Sequence, residues 1–330
     1  MMAAATNVLV VSDGSRGSLT GAGRESLALG RSIADGLGGS VAFLGLGAAA
    51  AKLADDAAAA GADQVYDVPG ADSVGYHPEL FAAAVLAACR ESAPRVILFN
   101  HAPLGLDLAP RVAFSLGARW ATNCVGITLD AGVLRCQRNE VAGKIQLVEA
   151  IDGQAVVTLR PKSVDILSPQ PERHVAIVTI ATPAAVAGDG IRFIERHLEE
   201  GGAVAELERA EAIVTGGLGM GSPAAFEKLH ALARALGASL AGSKQAVDRG
   251  WISADRQVGI TGTTVAPKLY LAVAVSGALQ HMAGCQKSKV IVAINKDPDA
   301  PIFRFARYGV VANWEEMVPA LLERLPPAAS

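Results

Sequence analysis

Between Gly216 and Pro298 the chain concentrates glycines, hydroxyls, a lysine and a histidine where strands should give way to helices. Gly216-Gly217-Leu218-Gly219-Met220-Gly221-Ser222-Pro223 follows an apolar run and precedes a helical one. Glycine lets the backbone approach a ligand closely, and N–H groups at a helix start favour a phosphate. The third glycine arrives one residue early for G-x-G-x-x-G, so a plain tight turn is the competing reading. Gly242-Ser243-Lys244 offers a hydroxyl and a cation at a strand end, or merely a solvated lysine. Val258-Gly259-Ile260-Thr261-Gly262 sets a threonine between glycines, a pattern common to ligand loops and ordinary turns. Ser276-Gly277-Ala278-Leu279-Gln280-His281 follows the strand-like LYLAVAV. Ser276 is expected to cap the helix that opens there, with His281 in its first turns as a ligand contact or a core histidine. Ile294-Asn295-Lys296-Asp297-Pro298 ends the apolar run VIVAI, and open parallel sheets bind ligands beyond the carboxyl ends of their strands. Together these segments point to one nucleotide-sized ligand.

The elements that must position them follow from hydrophobic periodicity. In the N-terminal part, Asn7–Val11, Val41–Leu46, Gln64–Val68 and Arg95–Phe99 read as strands. Between them, Arg24–Leu37, Ala48–Ala60, Pro78–Ser92 and Asp107–Leu116 read as helices, the first closed by Gly38-Gly39. Such alternation predicts a mainly parallel sheet covered on both faces. Over 125–159 the pattern changes to two expected hairpins, turning at Asp130-Ala131-Gly132 and at Asp152-Gly153. Ser168–Arg173 is a proline-rich break, HVAIVTI a strand, and Ile191–Glu200 helical. A second unit begins near Ala210, with strands at AEAIVTGG, Ala238–Leu240, Leu269–Val275 and Val290–Ile294, and helices at Ala224–Leu236 and Trp314–Leu325. The expected fold is therefore α/β in two domains. Residues 1–205 form a nucleotide-binding-like sheet with added antiparallel strands and a linker at about 168–205. Residues 206–330 form a Rossmann-like parallel sheet.

Bulk properties remove several function classes. A length of 330 residues favours two domains. The net charge of −3 and fifteen aromatic residues, none interleaved with a basic run, argue against nucleic acid. The longest uncharged stretch, Leu269–Gln286, carries Ser276, Gln280 and His281 and reads as a buried strand and helix rather than a membrane span. The N-terminus MMAAATNVLV has no secretory pattern. Cys89, Cys124, Cys136 and Cys285 form no metal-ligand spacing, and reduced thiols of a cytoplasmic protein are expected.

The order AEAIVTGG, GSKQAVD, QVGITG, VAPKLYLAVAVSGALQHMAG, SKVIVAINKDPDAPIF and YGVVANW resembles the alpha subunit of electron transfer flavoproteins. RVILFN, PLGLDLAPRVAFSLGA and NCVGITLDAGVL extend the resemblance through the N-terminal half. It implies non-covalent FAD in the C-terminal domain and a heterodimer with a beta subunit. It further implies an electron carrier rather than an enzyme with its own substrate, working between a donor dehydrogenase and a downstream acceptor. On matching motifs, Ser243, Thr261, Ser276, Gly277, Gln280, His281 and Asn295 correspond to FAD contacts. Lys244, Val258, Gly259, Ile260, Ala278, Leu279, Asn313 and Trp314 complete the candidate set. The cofactor's phosphates are expected near Gly259–Gly262 and Ser276–Gly277, and Lys244 and His281 are expected to bring positive charge or a donor to the flavin. Four residues depart from the family pattern: Leu218 and Lys244 stand for arginines, Ile260 for glutamine and Asn313 for aspartate. The departures leave an alternative reading, a non-redox nucleotide-binding or scaffolding subunit with a degraded site.

Overall fold

A computed structural model describes residues 6–15, 17–69, 75–141, 145–170, 172–181, 194 and 202–325. Contacts divide the chain into two units, 1–197 and 198–330. The helix expected over Ile191–Glu200 lies outside the described residues, apart from Ile194.

In the first unit the chain alternates β1 (Thr6–Asp13), α1 (Gly21–Leu37), β2 (Ser40–Leu46), α2 (Ala50–Ala59), β3 (Gln64–Asp67), α3 (Pro78–Ser92), β4 (Val96–Asn100) and α4 (Pro103–Leu116). It continues through β5 (Arg119–Asp130), β6 (Val133–Glu140), β7 (Ile145–Ile151), β8 (Ala155–Leu159) and β9 (Ala176–Thr179). The strand order is β7-β6-β5-β8-β4-β1-β2-β3-β9. Alternate residues of the central strands feed two cores. Val8, Val10, Phe43, Leu98 and Val157 pack with Leu27, Ile33 and Leu53 of α1 and α2. Leu9, Val11, Leu44, Ile97 and Val156 pack with Phe81, Val85, Leu108 and Val112 of α3 and α4. Both faces are covered, which is why these strands read as continuous apolar runs. Helix α1 starts on Thr20, whose hydroxyl accepts from Gly23 N, and ends at Gly38 in the left-handed region.

The antiparallel strands only half follow the sequence expectation. Strands β5 and β6 do form a hairpin, with Ala131 and Gly132 both at positive φ. The Asp152-Gly153 hairpin does not form. Strand β7 pairs antiparallel with β6, while β8 enters the sheet between β4 and β5, parallel to both. Burial explains the difference: AVVTL is buried throughout, as a central parallel strand requires, whereas β7 is mostly exposed.

The second unit holds α5 (Ala203–Arg209), β10 (Ala212–Gly216), α6 (Pro223–Ala235), β11 (Ser239–Gly242), α7 (Lys244–Asp248), β12 (Leu269–Val273), α8 (Leu279–Met282), β13 (Val290–Asn295), β14 (Tyr308–Val311) and α9 (Trp314–Leu322). All five strands are parallel, in the order β11-β10-β12-β13-β14. Strand β14 was not expected, because Tyr308–Val311 is a short and mostly exposed edge strand. One face of the sheet packs Val214, Leu271 and Val273 against Phe226 and Leu229 of α6 and Val318 of α9. The other packs Ile213, Tyr270 and Ile291 against Met282, Cys285 and Ile302. The chain leaves β10 toward β11 but leaves β12 toward β13 and β14, so the connections diverge between β10 and β12. A crevice at their carboxyl ends follows from that topology. Among the described residues no helix is long and apolar enough to cross a membrane.

The placement of β8 has a direct consequence for hydrogen exchange. Amides of Ala155–Leu159 should exchange among the slowest in the unit, and those of the exposed edge strand Ile145–Ile151 orders of magnitude faster. Equal protection of both strands would instead indicate a hairpin.

Candidate functional site

A cleft of about 560 Å³ opens at the carboxyl ends of β10–β13. Leu218 and Gly219 line it after β10, Ser243 and Lys244 after β11, Ala274–Ser276 after β12, and Asn295 and Asp297 after β13. The rest of the lining includes Gln257–Thr261, Ala278, Gln280 and His281. Of the expected site residues, Ser243, Lys244, Val258, Gly259, Ile260, Thr261, Ser276, Ala278, Gln280, His281 and Asn295 therefore meet around one space.

Gly277, Leu279, Asn313 and Trp314 do not line it. A Cβ on Gly277, at φ 80°, would lie 2.3 Å from Ile302 N, so this glycine serves chain crossing. Leu279 is exposed. Asn313 caps α9, accepting from Glu315 N. Trp314 is buried and donates from Nε1 to Gly219 O at 3.1 Å, supporting a residue that does line the cleft.

The polar side chains of the wall are largely held by the protein itself. Asn295 donates from Nδ2 to Val275 O at 2.9 Å and accepts from Asp297 N at 3.0 Å, tying the ends of β12 and β13 together. Thr261 Oγ1 accepts from Gln257 Nε2 at 2.9 Å. Ser243 caps α7 through Ala246 N. Ser276 does not cap a helix: α8 starts later, with Ala278 at its cap position and no side-chain cap. That shift leaves the backbone N–H groups of Ser276, Gly277 and Ala278 without a backbone partner among the described residues. The 257–263 loop differs, because Ile260 N bonds to Gln280 O, Gly262 N to Gly259 O and Thr263 N to Gln257 O. The N–H donors that can meet an anion are thus richer at Ser276–Ala278 than at Gly259–Gly262. The glycines of 216–219 also answer to packing, since a Cβ on Gly217 would lie 2.1 Å from Ala274 O.

The comparisons with known proteins agree with this arrangement. The family described as "Electron transfer flavoprotein domain" matches residues 8–185, and "Electron transfer flavoprotein FAD-binding domain" matches 206–286. The electron transfer flavoprotein subunit alpha of Thermoanaerobacterium thermosaccharolyticum is 36% identical over 97% of each chain. That of Syntrophomonas wolfei is 34% identical over 87% of this chain and 90% of its own. The protein FixB of Azorhizobium caulinodans is 33% identical over 96% of this chain and 88% of its own. The chain belongs to the electron transfer flavoprotein alpha-subunit family. A 4-hydroxybenzoylformate decarboxylase of Rhodococcus jostii, 14% identical, covers 94% of this chain and 56% of its own at a TM-score of 0.24, too slight a likeness to bear on the fold.

As a member of that family the chain is an electron transfer flavoprotein alpha subunit, with FAD as its cofactor and a heterodimer with a beta subunit as its implied state. The cleft of the alpha subunit suits FAD on its own observations. It offers unclaimed N–H groups at Ser276–Ala278, and His281 Nδ1 is buried without a partner. Two lining residues present apolar surface: Leu218 is 38% exposed and Ile260 54%. Lys244 was expected to bring charge to the flavin. Its ammonium is instead held by both Asp248 oxygens, at 2.8 and 2.6 Å, on an exposed helix turn. His281 also brings no charge. It is 7% exposed, and burial lowers its pKa to about 4. The neighbouring Val258 backbone offsets part of this. Sequence reasoning missed Gln245, Gln257, Ala274, Val275, Ala300 and Pro301 as lining residues. For Ala274, at φ 53°, no residue type signals the left-handed backbone. For Gln257, the four-residue spacing to Thr261 was a usable signal.

The buried histidine sets a pH dependence. Between pH 6.5 and about 4 the unfolded chain binds a proton at His281 that the folded chain refuses. Stability therefore falls as pH drops through that window, by roughly 1.4 kcal/mol per unit and about 3 kcal/mol in all. Denaturant unfolding of the parent and His281→Gln between pH 7 and 4.5 should show a shallower acid decline in the variant.

Proposed function

We propose that the cleft at the β10/β12 divergence holds FAD through backbone dipoles more than through charge, and that the heterodimer carries electrons from a donor dehydrogenase to a downstream acceptor in the cytoplasm. The observation that carries this reading is the run of N–H groups at Ser276, Gly277 and Ala278, unclaimed by backbone carbonyls, on the rim of a cleft within the FAD-binding domain. Successive free N–H groups converge on anions, which suits a pyrophosphate. Ser243, Thr261, Gln280 and Asn295 place polar groups along the same wall. Bound FAD supplies the redox chemistry; the protein supplies binding, orientation and electrostatics. Asn295 keeps the ends of β12 and β13 in register, so that Ser276 and Asp297 present a fixed rim. Leu218 and Ile260 exclude water from the apolar part of the ligand. Ser243 keeps its hydroxyl proton to donate while its oxygen caps α7. The built cleft and the whole-length family match favour this reading over a scaffold that has lost flavin chemistry.

Co-purified with its beta subunit, the chain should be yellow, with flavin absorption that bleaches under dithionite. A colourless complex that takes up no added FAD would sink the reading.

Two substitutions test the placement. Ala278→Pro removes one rim N–H at φ −55°, a value the proline ring accepts after a glycine. It should weaken FAD binding about tenfold, the loss of one charge-assisted hydrogen bond, with little change in melting temperature. Lys244→Ala should weaken binding by no more than about twofold, because an exposed, paired lysine contributes little. Equilibrium titration followed by flavin fluorescence measures both.

A further inference from the structure

The first unit carries a cation that nothing around it neutralises. Among the described residues seven arginines are partly buried, and six of them face a carboxylate. Arg24 pairs with Asp56, Arg31 and Arg173 with Asp63, Arg95 with Asp152, Arg138 with Glu140 and Arg256 with Glu206. Arg160, just past the carboxyl end of β8, is the seventh. Burial lowers its pKa, and no neighbouring carboxylate opposes that shift.

Its surroundings are fixed and neutral. The Arg160 backbone N–H donates to Cys124 O at 2.9 Å, and its Nε donates to Asn123 Oδ1 at 2.9 Å. Asn123 N donates in turn to Thr158 Oγ1 at 2.8 Å. That oxygen lies 3.0 Å from Nδ1 of His101, the residue after β4, and 3.1 Å from Thr122 Oγ1 on β5. The guanidinium is thus held along one edge, and its two terminal nitrogens find no acceptor among the described residues. His101 Nε2 finds no partner there either. Burial first, and then the charge of Arg160, holds the imidazole below its ordinary pKa, so the two side chains are close neighbours. A desolvated guanidinium without a counter-charge costs stability, and such a group calls for an ion that completes it. Held at Nε, it presents its remaining N–H groups in one plane, the geometry that takes an oxyanion through two parallel bonds. The carboxyl ends of parallel strands are also where α/β sheets take their ligands.

We propose that Arg160, with His101 beside it, binds a small oxyanion, a phosphate or a carboxylate, at the carboxyl ends of β4 and β8. The site shares no residue with the cleft of the second unit and does not depend on the assignment of that cleft to FAD. Arg160 supplies the charge and the two-pronged contact. Asn123 is a positioning residue that sets the plane of the guanidinium before the anion arrives, so binding need not order it.

The experiment uses the full chain with its partner subunit, carrying isotope-labelled histidine. The His101 ring signal is assigned by its loss in His101→Gln. Inorganic phosphate and, separately, acetate replace chloride at constant ionic strength, so that general screening does not change. The His101 signal should shift saturably with at least one of them, and the anion that acts at the lower concentration identifies the class. Arg160→Gln should weaken that binding about tenfold or more, the loss of a charge-assisted pair. Arg160→Lys, which keeps the charge and loses the fork, should weaken it severalfold. No saturable shift with either anion overturns the proposal, and so does a carboxylate of the partner subunit already seated on Arg160, which would give that same silence. A shift that persists unchanged in Arg160→Gln overturns it as well. If Arg160→Gln does not fold, Arg160→Lys decides: parental affinity there counts against the site.

Discussion

The C-terminal unit depends on how closely two strand ends pass at the point where its connections diverge. After β10 the chain must turn across the end of β12, and Gly217 does so against the Ala274 carbonyl. A Cβ there would lie 2.1 Å from that oxygen, which no rotamer change relieves. The crossing is then locked by backbone bonds, Gly217 N to Val273 O at 3.0 Å and Gly219 N to Ala274 O at 3.2 Å. Ala274, whose carbonyl accepts from Gly219 N, takes a left-handed backbone at φ 53°, a conformation costly for a residue with a Cβ and tolerated only where surroundings over-determine it. Trp314 adds its Nε1–H to Gly219 O from the far end of the sequence. Strand, turn and terminal helix thus converge on the inner wall of the cleft, and the space for a ligand is what this crossing leaves between β10 and β12.

From that junction the polar wall builds outward with few loose ends. Asn295 spans from β13 to Val275, Gln257 reaches Thr261, and Ser243 caps α7. Each bond fixes a side chain before any ligand arrives, so binding need not order it. The polar groups without internal partners are then informative. The N–H groups of Ser276–Ala278 have no backbone partner among the described residues, and His281 Nδ1 is buried without one, which is costly unless compensated. The site is therefore stable as scaffold and incomplete as a hydrogen-bond network, which is the condition for tight binding of a ligand that completes it.

The sequence announced the scaffold better than the register. Continuous apolar strands such as Val96–Asn100 and Val290–Asn295 and the stripes of α1 and α6 were plain, because both derive from burial, which composition records directly. The fate of Asp152-Gly153 was not, because a hairpin dipeptide states only that the chain can turn there. Whether β8 folds back on β7 or crosses into the central sheet depends on a vacancy between β4 and β5, and that is a non-local fact. At the site, the segments that line the cleft could be read from glycines and hydroxyls beyond apolar runs. What each side chain does there could not. Gly277, read as an approach point for phosphate, also meets a packing demand the sequence did not show, the close passage of Ile302. Ser276 looked like a cap and is free, while Asn313, placed with the ligand, is itself the cap of α9. Capping and ligand binding draw on the same residue types, so the distinction lies in where each helix begins, a boundary good to only a residue or two from sequence.

The charge of the wall completes the physical picture. Among the described lining residues Lys244 is the one lysine, and its side chain, 61% exposed to solvent, is held by Asp248. Asp297 stands on the opposite rim, and His281 is neutral. At the positions where the resemblance led to an expectation of arginine and glutamine, Leu218 and Ile260 present carbon. The cleft therefore receives an anionic dinucleotide with almost no net positive side-chain charge. The attraction must come from oriented backbone N–H groups and from covering apolar surface, both of which are far less screened by salt than exposed ion pairs. Leu218 and Ile260 thus leave the scaffold intact but present no side-chain donor to the cleft.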